Sequence, residues 1–339
     1  MIFFVNLSTP ESDRHHMTNP SIKQRLLACA LFGLTALSPA VQAQDYPNKP
    51  IEVMVAFQPG GGTDSLARAF AEAAKKYTTQ SVVVYNKPGA SGAIGLADVV
   101  NAKPDGYKIA MLFVEVTILP HLGITKITQD DFIPVARLNA DPAAITVRAD
   151  SPHNTIEEFI AAAKKSGSDV KVGNAGNGSI WHLAAASLEE KTGAQFNHIP
   201  FQGAGPAVLA LLGGHVDAVG VSPAEVGVHV AAGKLKVLAV MADQRAKGFD
   251  NVPTLKERKI DLSIGTWRGL GVAKGTPPDI VKAIEAMTAK AANEPIMREV
   301  MNKLNLGYAY ADAATFKAQM VRDNDSFKQI VNKLGLKPN

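Results

Sequence analysis

Phe57-Gln-Pro-Gly-Gly-Gly-Thr63-Asp64 in one half of this chain and Asn174-Ala-Gly-Asn-Gly-Ser179 in the other share one design. Each follows a short apolar run, residues 51–56 or 170–172, with the composition of a buried strand, and each opens a stretch whose apolar residues have helical spacing. In the first helix these are Leu66, Phe70, Ala73 and Tyr77. Strand, glycine turn and helix in that order predict an α/β fold, and the turn leaves backbone N–H groups at the helix start without partners. Those groups and the positive end of the helix dipole suit an anion. Two such helix starts, one per half, can serve one ligand, so the chain reads first as a receptor for a small carboxylate.

Strand-like and helix-like segments alternate nearly throughout, which predicts mainly parallel sheets. Residues 81–85 and 108–113 read as strands with a helix over 91–101 between them, and Pro104-Asp-Gly106 supplies a turn. The pattern restarts at Asp141-Pro142, where 143–148 is a strand and Thr155-Ile-Glu-Glu158 is a capping box opening a helix. It continues through strands at 195–199, 218–221, 235–241 and 267–272, a helix over 203–212, a helix capped by Thr276-Pro-Pro-Asp279 and a final helix carrying Phe316, Met320 and Phe327. No low-complexity linker marks a boundary. The expected organisation is two lobes joined by crossing strands, with 44–142 and 266–339 forming lobe 1 and 143–265 forming lobe 2.

The start of the chain reads as an export signal. Lys23-Gln-Arg25 is its basic part, 26–37 its apolar part and Val41-Gln-Ala43 its small-residue part, so residues 1–43 are expected to be removed, with Met17 as the true start. The apolar part is too short to span a bilayer, and the expected product is a soluble periplasmic protein. The one cysteine, Cys29, falls in the removed part, so the remaining 296 residues must fold on their core without disulfides. They carry 32 basic and 29 acidic side chains, and pairs such as Lys75-Lys76 and Lys164-Lys165 form no stripe that would suit nucleic acid.

Within the first glycine loop either Thr63 or Asp64 can cap the helix. If Asp64 does so, its charge is structural, and Thr63 with the N–H groups of Gly61 and Gly62 makes the ligand contact. The alternative is a plain tight turn. A second loop of the first lobe, Pro88-Gly-Ala-Ser-Gly-Ala93, lies beyond the carboxyl end of a strand, where ligands of open α/β sheets sit. Its Ala90 and Ser91 amides reach the same cleft, or Ser91 merely caps the helix. In the other lobe Asn174, Gly176, Gly178, Ser179 and His182 crowd one turn; Ser179 is the expected contact, whereas His182 and Trp181 have ordinary hydrogen-bonding and packing readings. Phe201-Gln-Gly-Ala-Gly-Pro206 is a fourth glycine-rich helix start.

Enzyme patterns are missing. Gly176-Asn-Gly178 lacks the third glycine of a dinucleotide fingerprint, and the chain has no phosphate-binding Gly-x-x-x-x-Gly-Lys-Ser/Thr, no Gly-x-Ser-x-Gly elbow and no His-Glu-x-x-His. Nothing here recommends catalysis, a metal or a cofactor.

The order of Tyr46-Pro-Asn-Lys-Pro50, Phe57-Gln-Pro-Gly-Gly61 with Asp64, Asn86-Lys-Pro-Gly-Ala90, Pro104-Asp-Gly-Tyr107, Ala175-Gly-Asn-Gly-Ser179 with His182-Leu183, Pro200-Phe201-Gln-Gly203, Trp267 and Gly275-Thr-Pro277 resembles the periplasmic solute receptors of tripartite tricarboxylate transporters, the Bug-type proteins. The resemblance covers essentially the whole exported chain. It implies a two-lobed periplasmic binding fold, type II-like, that closes over a carboxylate, and a monomer. It also implies two integral membrane subunits of a transporter as partners. Carried onto this chain, the ligand loops are the one from Phe57 through Gly61, Gly62, Thr63 and Asp64, the one at Ala90, Ser91 and Gly92, the one at Gly176, Gly178, Ser179 and His182, and the one at Gly203 and Ala204.

Two residues depart from the family's small polar pattern. Glu115, after the third strand, should repel an anion unless paired, and Arg268 beside Trp267 is the candidate counter-charge; Trp-Arg-Gly resembles the branch associated with tricarboxylates such as citrate. If Glu115 faces the cleft, an ammonium-bearing ligand such as an amino dicarboxylate becomes the alternative, and both residues also have a plain surface reading. Hydrogen bonds to a charged group contribute roughly 1.5–3 kcal/mol each and micromolar affinity needs about 8 kcal/mol, so four or five backbone and hydroxyl contacts suffice after lobe closure. A sensor that presents the solute to a membrane signalling partner, and an enzyme on the same fold, are the rival readings.

Overall fold

The computed structural model describes residues 46–166 and 169–336; the expected signal segment, true start and cleavage point lie outside the described residues. The first run comprises β1 (Ile51–Val55), α1 (Gly62–Ala74), β2 (Val82–Asn86), α2 (Ala93–Val100) and β3 (Lys108–Phe113). β1 pairs parallel with both β2 and β3. Strand alternation sends Ile51, Val53 and Val55 to a cluster with Leu66 and Phe70 of α1, and Met54 to the opposite cluster with Leu96 and Val99 of α2. Both faces of the strand are therefore covered, which is why the run is continuously apolar.

A long strand, β4 (Phe132–Arg148), leads into the second run of α3 (Ile156–Ser166), β5 (Lys171–Asn174), α4 (Ile180–Thr192), β6 (Asn197–Pro200), α5 (Ala204–Leu212), β7 (Ala218–Val221), α6 (Pro223–Ala231) and β8 (Leu235–Met241). β5 pairs parallel with β6 and β7. The chain returns along β9 (Gly265–Ala273) and ends in α7 (Pro278–Ala292), α8 (Pro295–Lys303), β10 (Tyr308–Asp312) and α9 (Ala313–Lys333).

β4 and β9 tie the two runs together. β4 pairs antiparallel with β9 from Phe132 to Pro142, then with β7 and β8 beyond that point, while β9 also pairs antiparallel with β3. The strand order is β2-β1-β3-β9-β4-β7-β5-β6, with β8 and β10 also on β4. Parallel pairing thus belongs to the flanks and antiparallel pairing to the centre, because a chain that crosses between lobes and returns must lay its two crossing strands in opposite directions. The expected restart at Asp141-Pro142 is not a break. One strand of 17 residues passes through it, and Pro142 stands where β4 changes partners. Opposite it, a Cβ on Gly265 would lie 2.3 Å from the Asp141 carbonyl oxygen, so glycine is required for that approach.

Candidate functional site

The four glycine loops meet across one cleft. The Gln58 N–H donates to the Gln202 carbonyl at 3.0 Å, joining the first loop to the fourth. Ser91 Oγ donates to the Asn177 carbonyl at 2.5 Å, joining the second to the third. Ser91 reaches it because Ala90 and Ser91 both sit in the left-handed region, at φ 47° and 53°, between Gly89 and Gly92, which are also at positive φ. Two adjacent non-glycine residues there store backbone strain. Ser91 does not cap α2; Gly92 holds that position without a side-chain bond.

Asp64 is structural. Its carboxylate accepts the Gly60 N–H at 3.2 Å, Arg68 Nε at 3.0 Å and Asn86 Nδ2 at 3.0 Å. Burial pushes this carboxyl up, but the hydrogen bonds from Arg68 and Asn86 outweigh it and hold it below the ordinary carboxylate range. Ser179 is likewise occupied: it is fully buried and caps α4 by accepting the His182 N–H at 3.3 Å, and it does not line the cleft cavity. His182 turns away as well. Its Nδ1 accepts the Gly178 N–H at 3.1 Å and its ring lies edge-on to His198 at 4.7 Å, where burial and His198 push it down to about 4.

The helix starts expected to await a ligand carry carboxylates of the chain itself. The Gly62 N–H, at the start of α1, donates to Glu225 Oε1 at 3.3 Å. The Ile180 N–H, at the start of α4, donates to Glu115 Oε1 at 3.0 Å. Glu115 stands in the single turn at Val114–Thr117 after β3, and it is buried in the cleft and not on the surface. Burial pushes its carboxyl up to about 7; the Ile180 N–H and Arg268 oppose the rise and Glu225 adds to it.

Arg268 is also buried, 2% exposed, but its partner is not Glu115. Its Nε donates to Thr63 Oγ1 at 2.9 Å, Nη1 to Asn139 and Asp141 at 2.8 Å each, and Nη2 to Glu225 at 3.0 Å. Four of the five guanidinium N–H groups are thereby used. Glu225 is pushed up by burial against the opposing pull of Arg268. Its other oxygen, Oε2, closes a capping box with Ser222. Together these groups surround a cavity of about 20 Å³, room for about one water, lined by Phe57, Gly61, Gly62, Thr63, Phe113, Glu115, Trp181, Ala204, Glu225, Thr266 and Arg268 among others. Gly203 stands beside it, its would-be Cβ 3.3 Å from Phe57 Cβ. Sequence reasoning misses Glu225, Asp141, Phe113 and Thr266, and gives Trp181 a packing role alone. The Ser222-Pro-Ala-Glu225 capping box is legible in the sequence and would have placed Glu225 at a helix start.

A family model described as the tripartite tricarboxylate transporter family receptor matches residues 66–336. The chain belongs to that family. The receptor is 36% identical over 315 residues to a Cupriavidus necator protein called UPF0065 protein in gbd 5'region, with 91% of this chain and 94% of that one covered. A crystal structure of a TctC solute-binding protein from Polaromonas, without ligand, is 60% identical, with coverage of 85% and 99% and a TM-score of 0.64. The periplasmic binding protein BugD is 30% identical, with coverage of 87% and 100% and a TM-score of 0.82. MatC from Rhodopseudomonas palustris, with bound malate, is 25% identical, with coverage of 84% and 100% and a TM-score of 0.79. The receptor thus has the two-lobed fold of the periplasmic binding proteins, and its family and structural neighbours are solute-binding proteins.

Proposed function

We propose that the receptor captures a small carboxylate-bearing solute between lobe 1, residues 44–142 and 266–339, and lobe 2, residues 143–265, in the periplasm. It then delivers the solute to the two integral membrane subunits of a tripartite transporter. The observation that carries this reading is the convergence of four glycine loops, two from each half, on one cleft through direct bonds such as Gln58 to Gln202 and Ser91 to Asn177. A cavity of about 20 Å³ admits no organic acid, so capture requires the lobes to part, with β4 and β9 as the connecting strands.

Two comparisons support the reading. MatC holds malate, a small carboxylate, on the same fold. The Polaromonas protein shares 60% identity yet superposes at 0.64, below the 0.79 of MatC at 25% identity. Sequence divergence runs the wrong way to explain that contrast, and we attribute it to a different angle between the lobes. Native mass spectrometry of protein purified without added solute, followed by calorimetry with malate, citrate and other small acids, tests the proposal. A carried-over acid or a saturable binding heat supports it; a panel in which no acid binds defeats it.

A further inference from the structure

Resting on that reading, we infer that the solute carries a cationic nitrogen besides its acid group, seated against Glu115 inside the cleft. Three carboxylates, Glu115, Glu225 and Asp141, stand near the one guanidinium of Arg268, and no other Lys, Arg or His lines the cavity among the described residues. Glu225 and Asp141 are the two that Arg268 pairs. Glu115, 2% exposed, has no ion-pair partner among the described residues, and beyond its own backbone N–H and the Ile180 N–H on Oε1 no group donates a hydrogen bond to it. A buried carboxylate that lines the cavity therefore keeps lone pairs available to a donor from the solute.

The existing bonds also weigh against a polyanion. A solute carboxylate that took over the Gly62 and Ile180 amides would gain contacts already made by Glu225 and Glu115, and would set those two side chains loose as buried charges. An ammonium group does the reverse: it supplies the charge that the cluster lacks and competes with Glu115 and Glu225 for neither helix start. Phe57, Phe113 and Trp181 line the same cavity, and aromatic rings tolerate a cation far better than they do an anion. A proton on Glu115 is the competing way to neutralise the cluster, and it would admit an amine-free acid instead.

Matched pairs that differ only in an amino group separate the two: 4-aminobutyrate against butyrate, phenylalanine against 3-phenylpropionate, and aspartate against succinate, each titrated calorimetrically at pH 8. The amine-bearing member of at least one pair should bind at least tenfold more tightly to the wild-type chain. Glu115→Gln, which keeps an oxygen for the Ile180 N–H, should reduce that preference to less than threefold. Equal or tighter binding of the amine-free members, a preference below tenfold in every pair, binding of malate or citrate with none of the amine-bearing solutes bound, or a preference that survives Glu115→Gln overturns the inference and leaves the receptor reading standing. If none of these solutes binds and neither malate nor citrate does, the carboxylate reading fails and this inference fails with it.

Discussion

Glu115 and Glu225 make reciprocal contacts: each accepts the first amide of a helix from the other half of the chain, Glu115 at Ile180 of α4 and Glu225 at Gly62 of α1. The pair spans the cleft in both directions. It does with side chains what a dicarboxylate would do with its two ends, since in both cases negative oxygen meets unpaired N–H groups and a helix dipole. The chemistry of the cleft follows from this pair and from the one guanidinium beside it.

The buried guanidinium should be the most sensitive position. Arg268→Met leaves Asp141 and Glu225 buried without a counter-charge, and breaking such a pair costs about 3–5 kcal/mol. Urea unfolding of the variant should show that loss; a change within about 1 kcal/mol would mean that the carboxylates are accommodated some other way.

Stability should depend on pH through Glu115. Its pKa in the folded chain is about 7 against an ordinary 4.5, so the folded form binds a proton that the unfolded form has released between those values. The contribution is fully present below about pH 4.5, declines as pH rises and is gone above about pH 7. The range is at most about 3 kcal/mol, because a tenfold change in proton affinity corresponds to about 1.36 kcal/mol. Subtracting the pH profile of Glu115→Gln from that of wild type isolates it, and parallel profiles would remove Glu115 as the titrating group.

Gly62→Ala separates the helix from the cleft. Alanine favours a helix over glycine by up to about 1 kcal/mol, yet its Cβ would lie 2.9 Å from Arg268 Nη2 and 3.2 Å from Glu225 Oε1. The lobes should close less fully, seen as a larger radius of gyration by small-angle scattering and weaker solute binding. An unchanged radius together with unchanged affinity would show that the two side chains move aside freely.

Ser179 offers the converse case. Ser179→Ala removes the cap that accepts the His182 N–H and should cost about 1 kcal/mol in unfolding free energy. Solute affinity should stay within about twofold, because the hydroxyl does not line the cavity. A tenfold loss of affinity with stability intact would return Ser179 to the role its position in the sequence suggests.

The glycine loops are legible in the sequence because they depend on local rules. A positive φ at Gly176 or Gly203 and a helix start after a buried strand are properties of a few adjacent residues. The same local rules leave the roles of Ser91 and Ser179 open. Both stand at helix starts, and whether a hydroxyl there caps the helix or reaches across a cleft depends on what faces it.

Neighbouring residues alone thus determined the α/β succession and the placing of the helix starts, since spacing and glycine content act over a turn or two, whereas Asp64 holds Asn86 of β2 and does not cap α1, where Gly61 is the N-cap without a side-chain bond. The cleft's charge was decided only when the chain folded. Glu115, Asp141, Glu225 and Arg268 are far apart in sequence, and which of them pair depends on burial and distance, which crossing strands β4 and β9 set by bringing the two halves together.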